Sequence, residues 1–149
     1  MKKREHFRIE AVEVLAPYRL LLTFGDGAAM TVDLAAIIDR IPALAPLKEP
    51  ELFAKARVGE WGLTVEWVAG ELDLAGDNLR AEAVEQMGGI SHERIWEWMH
   101  RNGLTLDSAA EALEISRRML AYYRSGQKPI PRHIWLACVG WETERHKAA

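Results

Sequence analysis

Twenty-two consecutive residues, Thr105 to Gly126 (TLDSAAEALEISRRMLAYYRSG), leave this chain little structural choice. Leu106, Ala109, Ala110 and Leu113 recur at i, i+3, i+4 and i+7, the spacing of a helix with one packed face. Thr105 before that stretch and Ser116 before the next each offer a side-chain oxygen to the free amides that open a helix. Glu114 and Ile115 are left between them as the turn. Met119, Leu120 and Tyr123 share one face of the second helix, while Arg117, Arg118, Ala121, Tyr122 and Arg124 point elsewhere. Gly126 stands where a helix end favours a left-handed residue. The expectation is two short capped helices about a tight turn, the second with a cationic and aromatic outer face.

This segment resembles the helix-turn-helix of the phage lambda repressor and Cro family, whose pattern runs T-x-x-x-x-A-x-x-[LV]-G-[VI]-S-x-x-x-[ILV]-x-x-[LYW]-E-x-G. Eight positions match: Thr105, Ala110, Leu113, Ile115, Ser116, Leu120, Tyr123 and Gly126. Three depart. Glu114 replaces the turn glycine, and a side chain held at positive φ costs on the order of 1 kcal/mol, so a strained or reshaped turn is expected. Leu106 replaces a polar residue that usually meets the DNA backbone, and Arg124 replaces the usual acid and adds positive charge. The resemblance implies that the start of the second helix reads bases in the major groove through Arg117, Arg118 and Tyr122, with Ala121 against a thymine methyl. Arginine suits that role because its planar fork can donate two bonds to guanine O6 and N7.

Charge supports the same partner, double-stranded DNA. From Ser116 to Gly140 the cations are Arg117, Arg118, Arg124, Lys128 and Arg132, with no Asp or Glu among them. Such a run on an acidic chain is an electrostatic footprint for phosphate. Arg124, Lys128 and Arg132, with Thr105 and Ser116 beside them, are the expected phosphate contacts. Residues 1–88 carry ten Lys and Arg against fifteen Asp and Glu, net -5; residues 89–149 carry nine against seven, net +2; together these give the chain's -3. Only the second half suits nucleic acid. One such small domain reads half a site, so a homodimer on half-sites about 34 Å apart is expected.

The fold class expected is α+β: a small strand-rich module over residues 1–88, then an all-α repressor-like domain over residues 89–149, divided near Gly88-Gly89. Strands are expected over Phe7 to Leu15, Tyr18 to Phe24 and Ala28 to Leu34, the last two joined by a Phe24-Gly25-Asp26-Gly27 turn. Asp33 is expected to start a helix through Ile38, and Glu51 to Ala56 to form another. WGLTVEWV, Trp61 to Val68, alternates like a final strand with Trp61, Leu63, Val65 and Trp67 on one face. Asn78 to Met87 reads as a helix. In the second half Ile95, Trp96 and Met99 mark a first helix, and Pro131 opens a last one through about Glu144, bearing Ile134, Trp135, Ala137, Cys138 and Trp141.

The front module is similar to a small bacterial domain of unknown function with the motifs L-x-[VL]-x-F-x-D-G, V-D-L, F, and x-W-x-x-[GD]-x-D-L. Here they stand at Leu20 to Gly27, Val32-Asp33-Leu34, Phe53, and Trp67 to Leu74, covering roughly residues 8–80. Val68 takes the place of a usual proline. Some members of that family carry a repressor-like helix-turn-helix behind the module. The resemblance implies a fold and no activity.

No catalytic chemistry is expected. Asp26, Asp33, Asp73 and Asp77 read as turn and cap residues, and the five histidines lack ligand spacing. There is no HExxH, no cysteine pair, no calcium loop, no phosphate-cradling glycine loop and no G-x-S-x-G, so neither metal nor cofactor is expected. The single Cys138, within IWLACVGW, reads as a buried structural thiol of a reducing compartment. The amino terminus lacks an apolar leader and no stretch approaches the ~20 apolar residues of a membrane span, so a cytoplasmic protein is expected. Core spacing is expected for the tryptophans, with Trp98 offset from its helix's apolar face and set to pack on the front module or a second subunit. The leading expectation is a sequence-specific DNA-binding transcriptional regulator whose front module oligomerises, senses a ligand or binds a partner. The alternative is an antitoxin-like interaction protein whose acidic residues 1–88 hold a basic partner.

Overall fold

The structure, a computed structural model, describes residues 4–148. Lys2 and Lys3 of the basic amino terminus lie outside the described residues. The chain is α+β, with two three-stranded sheets in its amino-terminal part and helices after them. It divides into two compact units, Met1–Gln86 and Met87–Ala149.

In the first unit β1 (Ile9–Leu15), β2 (Arg19–Phe24) and β3 (Ala29–Asp33) form an antiparallel meander, with Val12 opposite Leu22 and Leu20 opposite Val32. Alternation puts Leu20, Leu22 and Phe24 of β2 wholly inside. The strand expected from Phe7 starts at Ile9, because Glu5–Phe7 coils into a 3-10 turn that buries Phe7. At the β2–β3 hairpin the Ala28 N–H donates to Asp26 Oδ1 (3.1 Å) and Gly27 takes φ 89°. Asp33 remains the last residue of β3, and its Oδ1 accepts the Ala35 N–H (2.9 Å) that opens α1, Ala35–Arg40. The proline-rich stretch winds as a 3-10 helix, Pro42–Lys48, into the short α2, Pro50–Phe53, which ends before the Ala56 expected from sequence.

The second sheet corrects the reading of WGLTVEWV. Glu60–Gly62 is a 3-10 turn in which Trp61 (φ 60°) and Gly62 (φ 71°) are both left-handed, so the strand begins only at Thr64. Val65 and Trp67 of β5 (Thr64–Val68) face inward, whereas Trp61 and Leu63 are exposed. Nor is β5 terminal: it lies between β4 (Arg57–Val58) and β6 (Leu72–Ala75), both antiparallel to it. The chain reverses at Gly70, so Asp73 lies in β6 rather than in a turn, and Asp77 lies in the first turn of α3 (Gly76–Gln86), where its Oδ1 accepts the Asn78 N–H (2.8 Å).

Phe53 lies wholly inside, edge-on to Tyr18, and its carbonyl accepts the Trp67 indole N–H (2.9 Å). Burial pushes the Asp26 carboxyl up, but the Arg80 guanidinium (2.9 Å) and the Ala28 N–H bring it down further, to below its ordinary range. Arg80 also donates to the His6 carbonyl (2.7 Å) and lies over the Phe24 ring, joining α3 to the hairpin and the amino-terminal turn.

The second unit comprises α4 (His92–Arg101), α5 (Leu106–Leu113), α6 (Arg117–Ser125) and α7 (Arg132–Ala148) around Ile95, Trp98, Met99, Leu113, Leu120 and Cys138. Here the tryptophan assignment reverses. Trp98 is wholly buried and Trp96 is 51% exposed. Ile95, Trp98 and Met99 make the i, i+3, i+4 face, which turns Trp96 outward, and Trp98 packs edge-on to Trp141 within this unit's own core. Arg101 grips Glu142 of α7 with two 2.9 Å bonds, which hold that carboxyl below its usual range, and Arg145 donates to the Asn102 carbonyl (3.0 Å). α7 runs on past Glu144, and Ala137 on it is exposed. Among the described residues no helix is long and apolar enough to cross a membrane.

Candidate nucleic-acid interface

The α5–α6 corner is built almost entirely from local signals. Thr105 opens α5 with a reciprocal cap: the Ser108 N–H donates to Thr105 Oγ1 (3.1 Å) and the Thr105 N–H donates to Ser108 Oγ (2.9 Å). Ser116 opens α6 by accepting the Met119 N–H (3.0 Å). Between the helices Glu114 adopts φ 56°, ψ 40°, the conformation that a glycine would take without penalty. Its N–H reaches the Ala110 and Glu111 carbonyls, so the helix end is satisfied despite the side chain. Leu120 and Tyr123 face inward, and Gly126 ends α6 at φ 78°.

That anchoring fixes what α6 presents. Arg117 and Arg118 are exposed at its first turn, Ala121 and Tyr122 are half-buried one turn on, and no acid lies in that turn. Arg118 is braced: its Nε donates to the Tyr122 hydroxyl (3.0 Å), and the guanidinium lies 5.6 Å from that ring's centre. Lys128 approaches the same ring, Nζ at 4.6 Å. Two cations separated by ten positions in sequence thus share one aromatic plate. Arg124 stacks instead on Trp96 of α4, 4.7 Å from its ring centre. Arg132 is exposed at the start of α7. Thr105's hydroxyl donates to Ser108 Oγ (3.0 Å) while accepting its cap bond. At Ser116 the cap bond uses the oxygen and leaves the hydroxyl proton to donate elsewhere.

Two participants escaped the sequence reading. Asp107, in the first turn of α5, takes Arg117 Nε at 3.1 Å, with both side chains exposed. The two are ten residues apart and meet only because the turn folds α6 back, so no spacing rule announces them. Trp96 is the other, and its place outside the i, i+3, i+4 face of α4 was a usable signal. Among the described residues no group of three His, Cys, Asp or Glu side chains gathers to hold a metal ion.

Cys138 lies wholly buried in α7, and burial pushes its thiol up to about 12. A thiol titrating there is almost fully protonated at pH 8. Native protein is therefore expected to resist iodoacetamide at that pH and to react promptly once unfolded in denaturant, as intact mass would record. Prompt labelling of the native chain would contradict this placement.

Residues 9–85 match the family described as "Protein of unknown function (DUF2442)", slightly more than half of the chain. The chain belongs to this family. The DUF2442 match covers both sheets and nearly all of α3, and stops before the helical unit. A solved structure extends the likeness: a crystal structure of a "putative DNA binding protein" from Nitrosomonas europaea is 52% identical, with a TM-score of 0.86. The alignment covers 93% of this chain and 88% of that one, so it extends well beyond the DUF2442 match into the helical unit. No curated protein matches the chain.

Proposed function

We propose that this DUF2442 protein is a sequence-specific DNA-binding regulator. In this reading α5 and α6 act as a repressor-like helix-turn-helix, with the first turn of α6 in the major groove. The observation that carries it is the outward first turn of α6: Arg117 and Arg118 exposed, no acid within that turn, Arg117 held by the exposed Asp107 of α5, and Arg118 braced on Tyr122. A preorganised guanidinium loses less freedom on binding a base edge than a mobile one. The similarity to a "putative DNA binding protein" supports the same class of partner. Arg117 and Arg118 read bases, with Tyr122 and Ala121 beside them. Ser116, Arg124, Lys128 and Arg132 meet phosphates, and Thr105 serves first as the cap that sets α5. The protein binds rather than catalyses, acts in the cytoplasm, and pairs as a homodimer to read two half-sites.

Salt dependence tests whether phosphate contact is real. Affinity for duplex DNA is expected to fall log-linearly with salt, and Lys128→Ala is expected to weaken binding to all sequences alike and flatten that slope by about 1. Fluorescence anisotropy with labelled duplexes measures both. Salt-independent association, or none, would defeat the proposal.

A further inference from the structure

The WGLT stretch that sequence pattern assigns to a strand instead builds a surface that the DNA-binding reading does not use. Trp61 is 76% exposed and Leu63 63% exposed, two residues apart on the first unit. Both Trp61 and Gly62 are left-handed, and a side chain at Gly62 would collide with the Ile9 carbonyl and Arg8 Cγ at 2.6 Å. A tryptophan held at positive φ carries a backbone cost, which the fold bears while leaving the indole outside. Beside it lies a cleft of about 420 Å³ lined by Phe7, Leu63, Ala75 and Trp61 itself, with charged side chains at its rim.

The rim charges select the occupant. Arg4 and Arg8 supply two cations, Glu5 and Asp77 two anions in the lining, and Glu10 a third acid beside Arg8; Arg4 leans on Asp77 at 3.5 Å, and Arg8 on Glu10 at 2.8 Å and Glu5 at 3.4 Å. A rim of one sign would favour an oppositely charged partner and repel its own copy. A rim of mixed sign that carries both a projecting indole and an apolar cleft can be complementary to itself, as a two-fold contact requires.

We infer that Trp61 and the adjoining cleft form the homodimer surface, the indole of each copy entering the cleft of the other while Arg4 faces Asp77 or Glu5 across the axis. Trp61 is the anchor, since buried tryptophan at the centre of a contact carries a disproportionate share of affinity. This deepens the dimer proposed above and rests on that reading, but it can be tested without DNA.

Sedimentation equilibrium of the full chain in DNA-free buffer provides the test. The wild-type protein is expected to be dimeric at micromolar concentration. Trp61→Ala is expected to raise the dimer dissociation constant by about thirtyfold or more, and Trp61→Phe to recover most of the loss. A far-ultraviolet circular dichroism spectrum of Trp61→Ala that matches the wild type shows that folding is intact, as exposure of the residue predicts. Val139→Ser removes part of the exposed apolar surface of α7, where Val139 is 44% and Leu136 52% exposed, and is expected to leave the dimer unaltered. The inference is overturned by a wild-type monomer at high micromolar concentration, by a dimer indifferent to Trp61→Ala, or by one that Val139→Ser dissolves. It is equally overturned if the monomer uses Trp61 to hold a basic protein or a small ligand. None of these results decides DNA recognition, which the salt and sequence-selection measurements address separately.

Discussion

Replacing Trp98 by alanine is expected to cost the helical unit about 3–5 kcal/mol. The indole is wholly buried, stacks edge-on to Trp141, and joins Ile95, Leu113, Leu120 and Cys138 in the unit's core. Truncation removes the largest fully buried side chain and leaves a cavity that neighbouring helices cannot fill without moving. A unit this short has limited stability to lose, since small domains bury a lesser share of their surface. Denaturant titration followed by far-ultraviolet circular dichroism should show the helical signal lost at much lower denaturant. Trp98→Phe is expected to be far milder. Its Nε1–H finds no hydrogen-bond acceptor among the described residues, and phenylalanine deletes that unpaired group while retaining an aromatic ring. A loss below about 1 kcal/mol for Trp98→Ala would contradict the central place given to this residue.

The two arginines of α6 are expected to produce the largest functional effects. Arg118→Ala should cost about 1–3 kcal/mol on the preferred operator, and Arg117→Ala a similar amount, so the double variant loses on the order of 2–6 kcal/mol and with it most sequence preference. Their starting states differ. Arg118 is already held by Tyr122, so Tyr122→Phe, which keeps the ring and removes the 3.0 Å hydroxyl contact, should weaken specific binding by a smaller amount. Arg117 must leave Asp107 before it can reach a base. That exposed pair is worth only about 0–1 kcal/mol, so its release is a small toll. Asp107→Asn should strengthen binding modestly to all sequences, because a negative charge near the phosphates disappears. Paired titrations on an operator and an unrelated duplex separate these effects. Equal losses on both duplexes for Arg118→Ala would show that it contacts phosphate rather than bases.

What the sequence disclosed followed the range of the forces involved. The caps at Thr105 and Ser116, the glycine end at Gly126 and the α6 face are set by residues within one helical turn, and spacing alone reveals them. The meander β1–β2–β3 is equally local, tied by the Gly25-Asp26-Gly27 turn. WGLTVEWV misleads because alternation cannot distinguish a strand from a 3-10 turn entering one; only the paired left-handed residues Trp61 and Gly62 do so. Trp96 and Trp98 differ by about 200° around α4, and two aromatic residues close in sequence let either be placed inward until Ile95 and Met99 fix the phase. The two-residue β4 exists only through its partner β5, so it has no period of its own. Contacts such as Arg117 with Asp107 and Arg124 with Trp96 depend on how helices return past one another, which local pattern does not encode.

Selection of the protein against a pool of random duplex DNA decides whether the first turn of α6 reads sequence. The wild type is expected to enrich a motif of two related half-sites and to bind it well above bulk DNA, with the preference relaxed at defined positions by Arg118→Ala. A pool that returns no motif, with binding no tighter than to bulk DNA, would contradict this expectation.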